Sequence, residues 1–140
     1  YKYCARCYKR KNVDSHKGKK IMKDYLIYPD GYSEAKAKKV CNGCGTGSWK
    51  GSLVPDTIYT IRITDACNIH DFEYHYGMTM HSKDVADNRF LLNMHRIINK
   101  KSKWSKFLNP LRKVRAQEYY LAVAHLGEKA FLANKEGIIR

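Results

Sequence analysis

The stretch "TDACNIHDFEYHYG" (64–77) restricts the fold of this chain more than any other. Thr64 as N-cap, Asp65 in the first turn and Gly77 as a stop predict a helix over about 64–76. On that helix Cys67, His70, Asp71 and Tyr74 fall at i, i+3, i+4 and i+7, one continuous stripe. Such a stripe ordinarily carries Leu and Val into a core. Here it carries a thiol, an imidazole, a carboxylate and a phenol, so this face either looks into water or builds a site.

A second helix is expected after Ser82, running to about Lys100, with the stripe Asp87, Phe90, Leu91, Met94 and Ile98. Asp87 is the odd member. A carboxylate in line with four apolar side chains needs a hydrogen-bonding or cationic partner. A third helix is read from Asn109 as cap, Pro110 at its first position and Gly127 beyond its end, with Tyr119, Ala122, Val123 and Leu126 as its apolar face. "EKAFLANK" (128–135) adds a short last helix, and "SEAKAKK" (33–39) one or two helical turns. "TIYTIRI" (57–63) is strand-like in composition. Residues 1–32 form a basic, Cys-containing extension, with a short β-hairpin around "IMKDYLIYPDGY" turning at Pro29-Asp30-Gly31. The Gly-rich run "CNGCGTGSWKGSLVPD" (41–56) is a loop.

With 140 residues the chain can build one domain with a real core, and 44% hydrophobic content excludes a disordered chain. No apolar run approaches the roughly 18 residues of a transmembrane helix. No signal peptide is visible, and because the chain opens at Tyr1, a removed leader stays open. Lys and Arg number 27 against 13 Asp and Glu, a formal charge of +14. Such a field draws polyanions, either nucleic acid or an anionic membrane surface. Trp49, Trp104 and Phe107 stand beside lysines, Lys103 among them, as side chains at a lipid interface do.

The five cysteines leave at least one thiol over. Cys4 and Cys7, then Cys41 and Cys44, make two C-x-x-C pairs, a donor set that suits a structural Zn2+.

His70 and Asp87 are the two ionisable groups out of place, one on each of two helices joined by a short connection. Antiparallel neighbours would bring them side by side. Asp87 then accepts the proton-bearing nitrogen of His70 and fixes its tautomer, leaving the other nitrogen as a base. Asp71 flanks that pair, and a carboxylate beside a Gly-rich loop of carbonyls suits a hard cation such as Ca2+.

Read together, "CNGCGTG…TDACNIHDFEY…ADNRFLLNM" resembles the phospholipase A2 superfamily, in particular its compact bacterial and prophage-encoded members. The resemblance covers roughly residues 41–98. It implies a mainly α fold in which an antiparallel helix pair follows a Gly-rich calcium loop, over 33–140. It also implies roles: His70 as the base that activates water, Asp87 as its orienting partner, and Tyr74 as the phenol bonded to Asp87. Asp71 is the implied calcium carboxylate, and Gly43, Gly45 and Gly47 offer calcium-binding carbonyls. The Gly45 amide would help hold the oxyanion. Cys44 and Cys67 match a loop-to-helix disulfide, which competes with zinc for Cys44. The chain departs from secreted animal members at Glu73 and Ala86, where those have a bridged cysteine pair, so the helix pair is expected to hold by packing. The "SWKGSLV" stretch also departs, and Asp56 is a spare ligand candidate.

The implied activity is calcium-dependent hydrolysis of the phospholipid sn-2 ester at an anionic membrane surface. The implied setting is secreted or phage-associated, with the cytoplasm still open. Two other readings compete: a catalytically silent phospholipase-like virion or interaction module, and a zinc-stapled basic nucleic-acid-binding protein. Against the latter, no expected helix has an Arg-rich or aromatic-interleaved face.

Overall fold

A computed structural model describes residues 22–40, 54–132 and 135. The described chain is mainly helical, with one small antiparallel sheet. In order it forms α1 (Glu34–Val40), β1 (Thr57–Ile58), β2 (Ile61–Arg62), α2 (Thr64–Tyr76), α3 (Met80–Lys101), a 3-10 turn at Lys106–Leu108, α4 (Asn109–Leu126) and α5 (Glu128–Leu132).

The helix α2 spans the expected residues, but its cap differs. Ile63 holds the N-cap position without a side-chain bond, and Thr64 is the first helical residue, its buried hydroxyl without a partner. Gly77 ends α2 with an ordinary negative φ, so it is needed for space rather than for handedness. A Cβ there would meet the Glu73 carbonyl oxygen at 2.7 Å and the Phe131 ring at 3.0 Å. The helix α3 begins three residues earlier than expected, because Thr79 caps it: its hydroxyl accepts from the Ser82 amide at 3.0 Å. Asn109 does not cap α4 either. Its side chain instead donates to Ser102 Oγ at 2.9 Å, and Pro110 stands in the first turn.

The two strands form a tight hairpin with register Thr57↔Arg62 and Ile58↔Ile61. Its turn residues, Tyr59 and Thr60, have φ of 40° and 72°, the left-handed geometry that the right-handed twist of a two-residue hairpin demands. Neither is a glycine, and a β-branched residue there is strained. The hairpin is held from outside: Arg112 on α4 is 1% exposed and donates to the Tyr59 carbonyl at 3.1 Å, while Tyr119 OH donates to the Thr57 carbonyl at 3.1 Å.

No strand forms at residues 22–32, where the hairpin was expected. The Pro29-Asp30-Gly31 turn is present: the Tyr32 amide donates to the Pro29 carbonyl at 3.1 Å, and Gly31 has φ +73°. The flanking chain pairs with a helix instead of with itself. Asn93 on α3, fully buried, accepts from the Ile27 amide at 2.8 Å and donates to the Ile27 carbonyl at 2.9 Å. Its amide supplies both hydrogen bonds that a neighbouring strand would have given. Leu26 joins the core that Ile58, Ile63, Ile69, Phe90, Met94 and Ile97 share. This described part of the basic N-terminal third is therefore packed onto the helices.

The helices α2 and α3 pack antiparallel, and α3 packs in turn on α4. Four of the five stripe residues of α3 (Asp87, Phe90, Met94 and Ile98) are buried and Leu91 packs at the edge. On α4 the expected face is only partly right: Val123 is buried, Tyr119 and Ala122 pack at the edge, and Leu126 is exposed. Packing is not the whole of the α2–α3 bond. Arg89 on α3 forms an ion pair with Glu73 on α2, one of the two positions where a disulfide was noted as missing; the other, Ala86, is fully buried.

Candidate functional site

The ionisable stripe of α2 faces inward. Cys67 and His70 are buried, while Asp71 and Tyr74 are half-buried. Cys67 is disulfide-bonded, and its partner lies outside the described residues.

His70 Nε2 lies 2.7 Å from Asp87 Oδ1. Tyr74 OH donates to the same oxygen at 2.6 Å. The other carboxylate oxygen, Oδ2, accepts from Lys83 Nζ at 2.6 Å. The imidazole packs against two rings, Tyr74 with centroids 4.0 Å apart and Phe90 at 4.8 Å. Three side chains from two helices thus share the one carboxylate, and Asp87 has the partners its place in an apolar stripe requires.

The electrostatics follow from this geometry. Burial pushes the Asp87 carboxyl up, but the donors from His70, Lys83 and Tyr74 outweigh it and hold it below the usual carboxylate value. Asp87 is therefore ionised at neutral pH. Burial pushes the His70 imidazole down. Asp87 pulls it back, Lys83 pushes it down further, and the net shift is downward. A neutral imidazole facing an ionised carboxylate must donate through Nε2, which leaves Nδ1 as the basic nitrogen. Burial and the Asp87 acceptor push the Tyr74 phenol up, so it stays a donor. The group can accept a proton at Nδ1 while Asp87 stabilises the resulting imidazolium. That is the chemistry of a general base.

Gly127, just beyond α4, closes the site from behind. A Cβ there would stand 2.6 Å from Tyr74 OH and 2.3 Å from the Val123 carbonyl oxygen. Its φ is −81°, so close approach to the phenol, not handedness, accounts for the glycine.

Lys83 is the residue that sequence reasoning missed. It is 2% exposed, and besides Asp87 it donates to the Ala124 carbonyl at 3.1 Å and to the Val123 carbonyl at 3.3 Å. A signal existed: Lys83 precedes Asp87 by four residues, so it extends the same stripe by one turn.

Gly43, Gly45, Gly47, Cys44 and Trp49 lie outside the described residues, as do Cys4, Cys7 and Cys41 of the zinc alternative. Among the described residues no group of three or more His, Cys, Asp or Glu side chains is placed to hold a metal. Lys103 is exposed, and so are Trp104, at 97%, and Phe107, at 78%. Leu111 and Val114 continue from Phe107 along α4 at i+4 and i+7 and are exposed as well. No described helix is long and apolar enough to cross a membrane.

No family model matches the chain, and no curated protein or solved structure matches it.

Proposed function

We propose that this chain is a phospholipase A2-like ester hydrolase, acting on phospholipids at an anionic membrane surface. The observation that carries the reading is the buried His70–Asp87 pair at 2.7 Å, with Tyr74 bonded to the same oxygen. Together with the Gly-rich run ahead of α2, these residues reproduce the pattern C-x-x-H-D-x-x-Y followed by Asp on the next helix.

In this reading His70 Nδ1 removes a proton from a water that attacks the sn-2 ester carbonyl. Asp87 keeps the tautomer and stabilises the imidazolium, and Tyr74 fixes the carboxylate. The same proton then passes to the leaving alkoxide, so the base is regenerated. Asp71, next to His70 and half-buried, would hold Ca2+ with the carbonyls of Gly43, Gly45 and Gly47. A carboxylate with carbonyl oxygens is a donor set that suits this hard cation. When bound, Ca2+ supplies polarisation of the ester carbonyl. A Cys44–Cys67 disulfide would tie the loop to α2. Closing about two dozen residues, it would stabilise by roughly 3 kcal/mol in the chain-entropy view. The exposed Trp104–Phe107 segment, with its lysines, would rest on the lipid.

The test is hydrolysis of anionic and zwitterionic liposomes with and without a chelator, in the parent and in His70→Ala. The expected result is chelator-sensitive release of the sn-2 fatty acid, lowered about 10²- to 10⁴-fold in a folded His70→Ala. Parent-level hydrolysis by His70→Ala refutes the site. No hydrolysis by the parent, with one equivalent of bound zinc, favours the metal-stapled binder instead.

A further inference from the structure

Lys83 has no counterpart in the roles assigned so far, yet it is among the most deeply buried side chains of the protein. An ammonium group carries three donors and no acceptor. Lys83 places them on three oxygens: Asp87 Oδ2 at 2.6 Å, the Ala124 carbonyl at 3.1 Å and the Val123 carbonyl at 3.3 Å. The two carbonyls belong to the last turn of α4. They form the negative end of its dipole, and the Val123 carbonyl, which also accepts from the Gly127 amide at 2.9 Å, has a second lone pair for Lys83. Two of the three donors therefore anchor the ammonium to α4, which leaves the third with one direction, toward Oδ2.

We propose that Lys83 is a positioning residue for the His70–Asp87 pair: anchored on the end of α4, it holds Oδ2 and so turns Oδ1 toward His70. A carboxylate held through one oxygen alone can swing about its Cβ–Cγ bond, and that bond is a broad, soft torsion. Held at both oxygens it cannot. The His70 tautomer and ring orientation then depend on a side chain that touches neither His70 nor substrate. The arrangement also links three helices through one atom, since Lys83 Nζ on α3 joins the carboxylate facing α2 to the end of α4.

The kinetic consequence rests on the hydrolytic reading above, whereas the positional one does not. Two readouts therefore separate them: the His70 tautomer, from 15N NMR of histidine-labelled protein, and the split between kcat and KM on anionic vesicles. The parent is expected to show the Nε2–H tautomer. Lys83→Met, which removes the donors and keeps the length, is expected to populate Nδ1–H measurably. Its kcat should fall about 10- to 100-fold with KM little changed, the scale of a small misplacement in a catalytic group. Lys83→Gln keeps one donor and should lie between the two. A folded Lys83→Met with the parent tautomer and the parent kcat overturns the proposal. If the parent hydrolyses nothing, the hydrolytic reading fails, and the tautomer comparison still decides the role of Lys83. If neither variant folds, Lys83 serves the fold alone and the proposal is likewise overturned.

Discussion

The Lys83–Asp87 pair makes a prediction about stability that needs no substrate. Both side chains are 2% exposed and meet at 2.6 Å. Removing one member strands the other charge in the interior. Breaking a buried pair in this way typically costs about 3–5 kcal/mol, whereas removing both charges often costs far less. In Asp87→Asn the amide can still accept from His70 and Tyr74 through its oxygen, but its NH2 then confronts the ammonium, donor against donor. In Lys83→Met the methyl group confronts Oδ2. Each single substitution should therefore lose about 3–4 kcal/mol. The double substitution should cost no more than the worse single, a coupling of about 3 kcal/mol. With a urea slope of about 1.5–2 kcal/mol per molar, each single variant unfolds roughly 2 M earlier than the parent, and the double variant close to the singles. Urea unfolding at pH 7, followed by far-UV circular dichroism, measures this. Losses that simply add would show that the two charges do not depend on each other, and the account of the site would be wrong.

Three further outcomes are expected. Gly127→Ala should destabilise by about 1–3 kcal/mol, as overpacking does, and should lower hydrolysis by displacing Tyr74 from Asp87; thermal melting and a liposome assay read the two effects. Burial pushes the Glu73 carboxyl up to about 7, against the pull of Arg89. The folded state then binds the extra proton between the ordinary carboxylate value and pH 7, so this group makes stability fall as pH rises through that window. Glu73→Gln should remove that component. Asp87 acts in the opposite sense: its contribution is present above the ordinary carboxylate value and lost as pH falls through its depressed folded value. A pH series of urea melts on the parent and Glu73→Gln separates the two. Finally, Trp104→Ala with Phe107→Ala should weaken binding to anionic vesicles at least tenfold without changing the fold, and parent binding should fall with added salt. Equal co-sedimentation of parent and variant with such vesicles would remove this segment from the membrane face.

The helices were legible because each has a periodic stripe and recognisable ends. Cys67, His70, Asp71 and Tyr74 fall on one face of any helix through 64–76, and Asp87 lines up with Phe90, Met94 and Ile98 by the same geometry. The ends were less legible. Thr64, Ser82 and Asn109 all have capping chemistry, and none of them caps, since Ile63, Thr79 and Leu108 hold those positions. A capping side chain can be taken by other side chains, as Ser102 and Arg112 take Asn109. The hairpin at 22–32 failed for a related reason. Its turn is present, but Asn93, far along the chain, satisfies the backbone of Ile27 in place of a second strand.

What the sequence by itself determined was therefore local: where helices run, which residues share a face, and that Asp87 must find a partner. The spacing already offered His70 as that partner, and the resemblance Tyr74; the tertiary structure decided how they meet and added Lys83. His70 and Tyr74 come from one helix, Lys83 from another, and the carbonyls that aim Lys83 from a third. The same holds for Glu73, whose ion pair with Arg89 crosses from α2 to α3 where a purely packed contact was expected. Periodicity along one helix shows that a charge points inward. Lys83 lies four residues before Asp87 on the same helix, but the carbonyls that aim it come from the end of α4, and that contact is set by how the helices pack.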